Sequence, residues 1–173
     1  VSGNNVYVIW QDNSTGNGDI YMRRSTDGGQ VFQDILNLSN NTGSSQLPQV
    51  AVSGNNVYVV WQDNSRGKGD IYFRDSANNG DSFVKRRNLS NDSDISQLPH
   101  ISVSGNNTQV IWIDHNGTNS SVFFKSGRLT QLGGLQKFTM GDANSPKVDA
   151  EDGKVFAVWE SNLGHRKVIM FYP

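Results

Sequence analysis

The chain repeats itself. Shifted by 51 residues, positions 1–51 and 52–102 are identical at 30 places, more than shared strand propensity produces, so one unit has been duplicated. The segment VSGNNVYVIW at Val1 returns as VSGNNVYVVW from Val52 and VSGNNTQVIW from Val103, then fades to AEDGKVFAVW from Ala150. Trp10, Trp61, Trp112 and Trp159 are thereby in register, the last spacing being 47 residues. A second marker, QLPQV, QLPHI and NSPKV, keeps Pro48, Pro99 and Pro146 each thirteen residues ahead of a tryptophan. Units roughly 1–45, 46–96, 97–143 and 144–173 follow, as a single segment of one architecture.

Within a unit the pattern is that of strands. Val57-Tyr58-Val59-Val60-Trp61 is a β-branched and aromatic run bounded by the turn formers Gly54-Asn55-Asn56 and Asp63-Asn64-Ser65. The second unit is predicted to carry strand A over 48–53 with Pro48 at its head, B over 56–62, C over 70–75 and D over 82–88. Four short strands per ~50 residues make the blade of an all-β propeller with antiparallel, four-stranded blades, about 3.5 to 4 of them in this chain. A β-sandwich also has many short strands, but it needs no identity at a fixed period. A blade has two apolar faces and cannot bury them alone, so identical neighbours are the natural partners. Trp10, Trp61 and Trp112 each lie two residues beyond a valine, at Val8, Val59 and Val110, so indole and valine share a face. With Trp159, they are expected between blades, with sugar stacking as the alternative use of such rings.

After strand C, Ser25-Thr26-Asp27-Gly28-Gly29-Gln30-Val31-Phe32 has the form Ser-x-Asp-x-Gly-x-x-aromatic, and Ser76-Ala77-Asn78-Asn79-Gly80-Asp81-Ser82-Phe83 repeats it with Asn78 in place of the acid. This resembles the Asp box of the sialidase-like, or BNR-repeat, β-propellers, especially the secreted repeat proteins of archaea and bacteria. The resemblance implies a structural role for Ser25, Asp27, Gly29 and Phe32 and for Ser76, Asn78, Gly80 and Phe83: the acid ties down backbone N–H groups, the glycine takes a positive φ, and the aromatic packs between blades. In the third unit Lys125-Ser126-Gly127-Arg128 lacks both acid and aromatic. A sialidase also implies an arginine triad with an early Phe/Tyr-Arg-Ile-Pro segment, a Tyr/Glu nucleophile pair and an acid. That segment is missing. Arg23 and Arg74 occupy one repeat position, which spreads them around a ring instead of converging them on a carboxylate, so no catalytic residues are assigned.

Other chemistry is thin. The loop Asp12–Asp19 offers oxygen ligands and suggests calcium, but its second copy brings in Arg66 and Lys68 and its third, at Asp114–Ser120, loses the closing acid. Asx turns account for all three, and no cofactor or metal is expected. His100, His115 and His165 lack ligand spacing. Lys85-Arg86-Arg87 reads as a basic guard on an outer edge strand. A formal net charge of -1 offers no footprint for nucleic acid, and no apolar run is long enough to span a bilayer. Asn-x-Ser/Thr sequons at Asn13, Asn37, Asn40, Asn88, Asn91, Asn106, Asn116 and Asn119 suggest glycosylation and, with the family resemblance, an extracellular or cell-surface location.

Counting strands gives B-C-D, A-B-C-D twice, then A-B-C, which is a broken ring with two unpartnered blade faces. A longer chain, a compact four-bladed ring, or several chains completing one another would each satisfy it. Self-association or a longer parent chain is preferred over a closed monomer. The expected function is a non-enzymatic extracellular structural or interaction module, assembling through its open ends into oligomers or filaments. The alternative is a carbohydrate-binding or sialidase-like glycoside hydrolase fragment.

Overall fold

A computed structural model describes residues 1–14, 16–128, 131–138, 142–163 and 166–172. His165 lies outside them. Among the described residues fourteen strands form four antiparallel sheets. Sheet 1 is β1 (Val6–Asp12), β2 (Asp19–Ser25) and β3 (Leu36–Asn37); sheet 2 is β4 (Ser45–Ser53), β5 (Asn56–Asp63), β6 (Asp70–Ser76) and β7 (Arg87–Asn88). Sheet 3 is β8 (Ile95–Ser104), β9 (Asn107–Asn116), β10 (Asn119–Arg128) and β11 (Gln131–Phe138); sheet 4 is β12 (Asp142–Glu151), β13 (Lys154–Leu163) and β14 (Arg166–Tyr172). Each is a meander in chain order, and the inner strands β1, β4, β8 and β12 lie beside one another in succession. This is the all-β, bladed architecture that the repeat implies.

Turn chemistry sets the register. Ser53 pairs with Asn56 across a two-residue turn whose first residue, Gly54, has φ 55°, and Gly105 repeats this at 57°. In the divergent fourth unit Asp152 and Gly153 are both left-handed, at 50° and 77°, joining Glu151 to Lys154. The Asp-Gly sequence has exchanged one tight hairpin turn for another without changing the strands it connects.

The structure corrects two details. Strand D of the second unit is β7, Arg87–Asn88 alone, and not 82–88. The preceding stretch runs as a loop because Arg74 captures its carbonyls: Nε donates to Val84 O at 2.8 Å and Nη2 to Phe83 O at 3.2 Å. Pro48 does not head strand A. The strand starts at Ser45, and Pro48 sits in a bulge where the pairing with β5 slips between Gln46 and Gln49. Proline has no N–H for the ladder, and a bulge is the other place where that loss is harmless. The residue before it pays in conformation instead: Leu47, Leu98 and Ser145 have φ of 53°, 54° and 50°, which is strained for a side chain with a Cβ. The third unit, finally, builds its outer strand without the box, through the long hairpin of β10 and β11.

The core consists of three seams between successive sheets. Val57, Val59, Trp61 and Tyr72 of sheet 2 meet Ile20, Met22 and Leu38 of sheet 1. Val110 and Trp112 of sheet 3 meet Tyr58, Val60, Ile71 and Phe73 of sheet 2. Val148, Ala157 and Trp159 of sheet 4 meet Ile111, Ile113, Val122 and Phe124 of sheet 3. Strand alternation explains this: odd positions of β5 face backwards along the chain and even ones forwards, so each sheet has a leading face that carries the tryptophan and a trailing face that receives the next one.

Candidate functional site

The ends of this array are chemically unlike its middle. Trp61 and Trp112 are 0% exposed and Trp159 is 4% exposed, whereas Trp10, which no described sheet covers, is only half-buried and Val8 beside it is 46% exposed. Cross-strand aromatic pairs support three of the indoles, Trp10 on Tyr21, Trp61 on Tyr72 and Trp112 on Phe123, with ring centroids 6.0, 6.1 and 6.0 Å apart. At the other end, the trailing face of sheet 4 presents Phe156, Ile169 and Phe171, with the Phe156 and Phe171 rings stacked at 6.0 Å. Ile169 is 72% exposed and Phe171 59%. Exposed apolar side chains grouped on a sheet face mark an interaction surface or an aggregation hazard.

One rim of the seams is acidic. Trp61 Nε1 donates to Asp63 Oδ2 at 3.2 Å and Trp112 Nε1 to Asp114 Oδ1 at 2.9 Å, a Trp-x-Asp device that holds each indole from its polar end. The two acids differ sharply. Asp63 also accepts from Asn41 Nδ2 at 2.7 Å, Ser45 Oγ at 2.9 Å and Ser65 N at 2.8 Å. Burial pushes its carboxyl up, but the hydrogen bonds from Ser65, Trp61 and Ser45 together hold it below its ordinary value. One repeat later Asn41 has become Asp92, and at Asp114 both Oδ2 and the neighbouring Ser96 hydroxyl are buried without a hydrogen-bond partner. Burial first, then the negative charge of Asp92, push Asp114 up to about 6, against the opposing pull of the Trp112 indole N–H. Between pH 4 and 6 the unfolded chain has therefore lost a proton that the folded chain keeps, so this group's contribution to stability falls as pH rises through that window. Asp114→Asn, which cannot ionise, is expected to exceed the wild type in stability by ~1–3 kcal/mol at pH 8 and to match it near pH 4 in urea titrations. An equal gap at both pH values would count against this account.

The box-like turns are tied as their residue types allow. Ser25 Oγ accepts from Gly29 N at 2.9 Å, and Asp27 Oδ1 accepts from Gln30 N and Val31 N, both at 3.0 Å. Asn78 Oδ1 replaces the acid, accepting from Ser82 N at 3.1 Å, while Ser76 Oγ accepts from Gly80 N at 2.9 Å. Gly29 and Gly80 have φ of 93° and 76°. A Cβ on Gly80 would come within 3.2 Å of Tyr7 and 3.3 Å of Met22, so this turn is seated against sheet 1. Phe32 and Phe83 are half-buried, Phe83 against the seam of sheets 1 and 2.

Basic residues are used for bracing. Arg23 donates to Gln33 O and Phe32 O, as Arg74 does one unit on, and Arg74 Nη1 also crosses the seam to Leu38 O at 3.0 Å. Lys125, at the same repeat position, reaches Leu89 O at 2.8 Å. Arg86 and Arg87 are not a simple charged edge, which the sequence had suggested. Their guanidinium groups lie 5.1 Å over the Tyr72 ring and 4.9 Å over the Phe73 ring, and Arg87 Nη2 meets Asp75 at 2.7 Å. In the Asp12 loop Ser14 N donates to Asp12 Oδ1 at 2.7 Å, and in its second copy Lys68 Nζ occupies Asp70 Oδ1 at 2.7 Å. No group of three potential metal ligands occurs among the described residues. His100 and His115 stand apart, the first accepting from Val148 N and the second beside Gln97. Asn13, Asn40, Asn91, Asn106, Asn116 and Asn119 are exposed. Asn37 and Asn88 are half-buried, and Asn37 Nδ2, the atom a glycan would need, donates to Asp19 at 3.0 Å. Sequence reasoning missed the bulges. The strained residues Leu47, Leu98 and Ser145 of three successive sheets line one cavity of about 200 Å³, with Gln49 and Lys147. The recurrence of Leu-Pro was the available signal.

Neither a family model nor a curated protein matches this sequence. Solved structures do. A Trypanosoma rangeli sialidase, in complex with 2,3-difluorosialic acid, aligns with 98% of this chain and 34% of its own length at a TM-score of 0.66 and 14% identity. A thermostable family-43 glycoside hydrolase aligns over 98% and 68% of the two chains, with a TM-score of 0.56 and 13% identity. The Bombyx mori GH32 β-fructofuranosidase BmSUC1 gives 96% and 42%, with a TM-score of 0.52 and 17% identity. The fold is thus that of the β-propeller glycoside hydrolases, including the sialidases. This chain spans about a third of the length of the sialidase it matches.

Proposed function

We propose that this chain is a non-enzymatic, exported propeller module that binds further blades or a partner through the apolar face of Phe156, Ile169 and Phe171. The observation that carries the reading is the exposure of Phe156, Ile169 and Phe171 where the equivalent Tyr58, Ile71 and Phe73 are fully buried. Arg23 and Arg74 are engaged with backbone carbonyls, which supports the non-enzymatic half. The surface sequons Asn13, Asn40, Asn91, Asn106, Asn116 and Asn119 support export. Two measurements test it. An apolar fluorescent probe is expected to bind the dilute protein and to lose most of its signal on Ile169→Asp, and sialosides are expected to survive incubation. Sialoside turnover abolished by Arg23→Ala or Arg74→Ala would overturn the proposal. A second reading, glycan binding at the cavity of the three bulges, is favoured by the strain stored there, since strained backbone clusters at ligand sites. A glycan array in which Gln49→Ala and Lys147→Ala erase a signal supports it, and an array blank for the wild type removes it.

A further inference from the structure

The acidic rim carries one substitution whose meaning the copies themselves supply. At the end of β5 the Asn41 amide ties two oxygens together: Nδ2 donates to Asp63 Oδ2 at 2.7 Å and to Ser45 Oγ at 3.3 Å, and Ser45 Oγ in turn donates to Asp63 Oδ2 at 2.9 Å. At the end of β9, Ser45 and Asp63 return as Ser96 and Asp114, but Asn41 returns as Asp92. An ionised carboxylate, which only accepts, has replaced an amide that donated twice. The effect falls on its neighbours. Ser96 is 0% exposed and Asp114 2% exposed, yet Ser96 Oγ and Asp114 Oδ2 both lack a hydrogen-bond partner, because Trp112 Nε1 reaches the other oxygen, Oδ1, at 2.9 Å. The nearby ammonium groups are committed elsewhere. Lys68 Nζ, 3.9 Å from Asp92 Oδ1, is bonded to Asp70 Oδ1 at 2.7 Å and to Asp94 O at 2.8 Å, and Lys125 Nζ is bonded to Leu89 O at 2.8 Å.

We propose that Asp92, Ser96 and Asp114 bind a calcium ion, which joins the Asp114 and Ser96 oxygens as the Asn41 amide joins Asp63 and Ser45 one repeat earlier. The donor set is two carboxylates and a hydroxyl, all oxygen, which suits a hard cation and not zinc or copper. Its members come from the loop entering β8, from β8 itself and from β9, an irregular arrangement that calcium accepts more readily than magnesium does. Burial, and after it the negative charge of Asp92, raise the Asp114 carboxyl, so the two acids are within electrostatic reach of one another. A divalent cation between them turns that repulsion into a shared attraction. Asp92 is exposed, which gives the ion an entry path and lets water complete its shell. With three protein ligands the affinity belongs to the weak class, a Kd of about 0.1–1 mM. The proposal is independent of what covers the apolar face of sheet 4.

The repeat also provides the test. Asp92→Asn restores the amide of the earlier copy, so it is expected to fold, which circular dichroism checks, while losing the ion. Stripped with a chelator and held at pH 8, the wild type is expected to rise by about 3–8 °C in unfolding midpoint on addition of ~10 mM calcium chloride. Magnesium chloride is expected to give less than half that shift, and calorimetric titration one calcium per chain. Asp92→Asn is expected to be unmoved by calcium, and Ser96→Ala to shift less than the wild type. At pH 5, where Asp114 keeps its proton, the wild-type shift is expected to be lost. In calcium the advantage of Asp114→Asn at pH 8 should shrink, since only the wild type binds. A wild-type midpoint that calcium leaves unmoved at pH 8 overturns the proposal, a shared proton then being all that the two acids hold. A shift of equal size in Asp92→Asn overturns it too, because the ion then binds elsewhere.

Discussion

Trp61→Ala is expected to lower the stability of the dilute chain by ~3–5 kcal/mol, while Trp10→Ala, the same substitution one repeat earlier, costs only ~1–2 kcal/mol. The sequence around the two residues is nearly the same, so the difference isolates tertiary position. Trp61 is enclosed by Ile20, Met22 and Leu38 on the preceding sheet, and removing it leaves a void the size of an indole between two sheets that are otherwise joined by side-chain packing. Trp10 already has solvent on one side, and its truncation leaves no closed cavity. Because stability in a repeat array is a sum of units and their interfaces, the loss at Trp61 also uncouples sheet 1 from the remainder. Amide exchange in β1 and β2 should therefore accelerate more than in β9 and β10. Equal costs for the two variants in urea titrations, or uniform acceleration along the chain, would show that the seams are not the unit of stability.

Asp63→Ala should be nearly as damaging, at ~3–5 kcal/mol, for a polar reason. The carboxylate is fully buried and accepts from Asn41, Ser45, Trp61 and Ser65, with Arg86 Nη1 3.7 Å away. Truncation leaves these donors inside the protein with no acceptor, and unmet buried donors cost more than the bonds themselves contribute. Asp63→Asn keeps one acceptor and one charge-free amide, so its cost should be about half. The pH behaviour supplies a separate check. Since the folded-state value lies below the ordinary one of 3.8, the stabilisation by Asp63 is fully present above that pH and is lost as pH falls through the folded value. The gap between wild type and Asp63→Ala should close on acidification, the opposite of what Asp114 produces. A gap independent of pH would mean that the carboxylate's charge is irrelevant to the network.

Both predictions concern residues that were visible in the sequence, but for unequal reasons. Period and strand alternation put Trp61 and Val59 on one buried face, and the structure places them there, because a repeat can only bury itself against its own copy. The Trp-x-Asp spacing is equally plain in the sequence, yet nothing local says that Asp63 gathers four donors or that Asn41, twenty-two residues earlier, is one of them. That depends on the entry loop of strand A folding over the end of strand B. The exchange of Asn41 for Asp92 one repeat later is visible as a letter, but its effect on Asp114 appears only when the exposed Asp92 is seen to lie close to the buried Asp114. Strand D and the bulges were misread for a related reason. Arg74 draws the chain out of the ladder by capturing carbonyls nine and ten residues away, and Pro48 was assigned to a strand start when a bulge accommodates it as well.

The sequence by itself determined that this protein is built from near-identical antiparallel sheets and that three of them present a valine-tryptophan face. It could do so because periodicity, turn residues and alternation are local properties. Only the tertiary structure decided which face meets which, and that the three described seams share one polarity. Those facts belong to contacts between residues well separated along the chain, such as Leu38 and Trp61 or Phe73 and Trp112, where burial, and not propensity, chooses the partner.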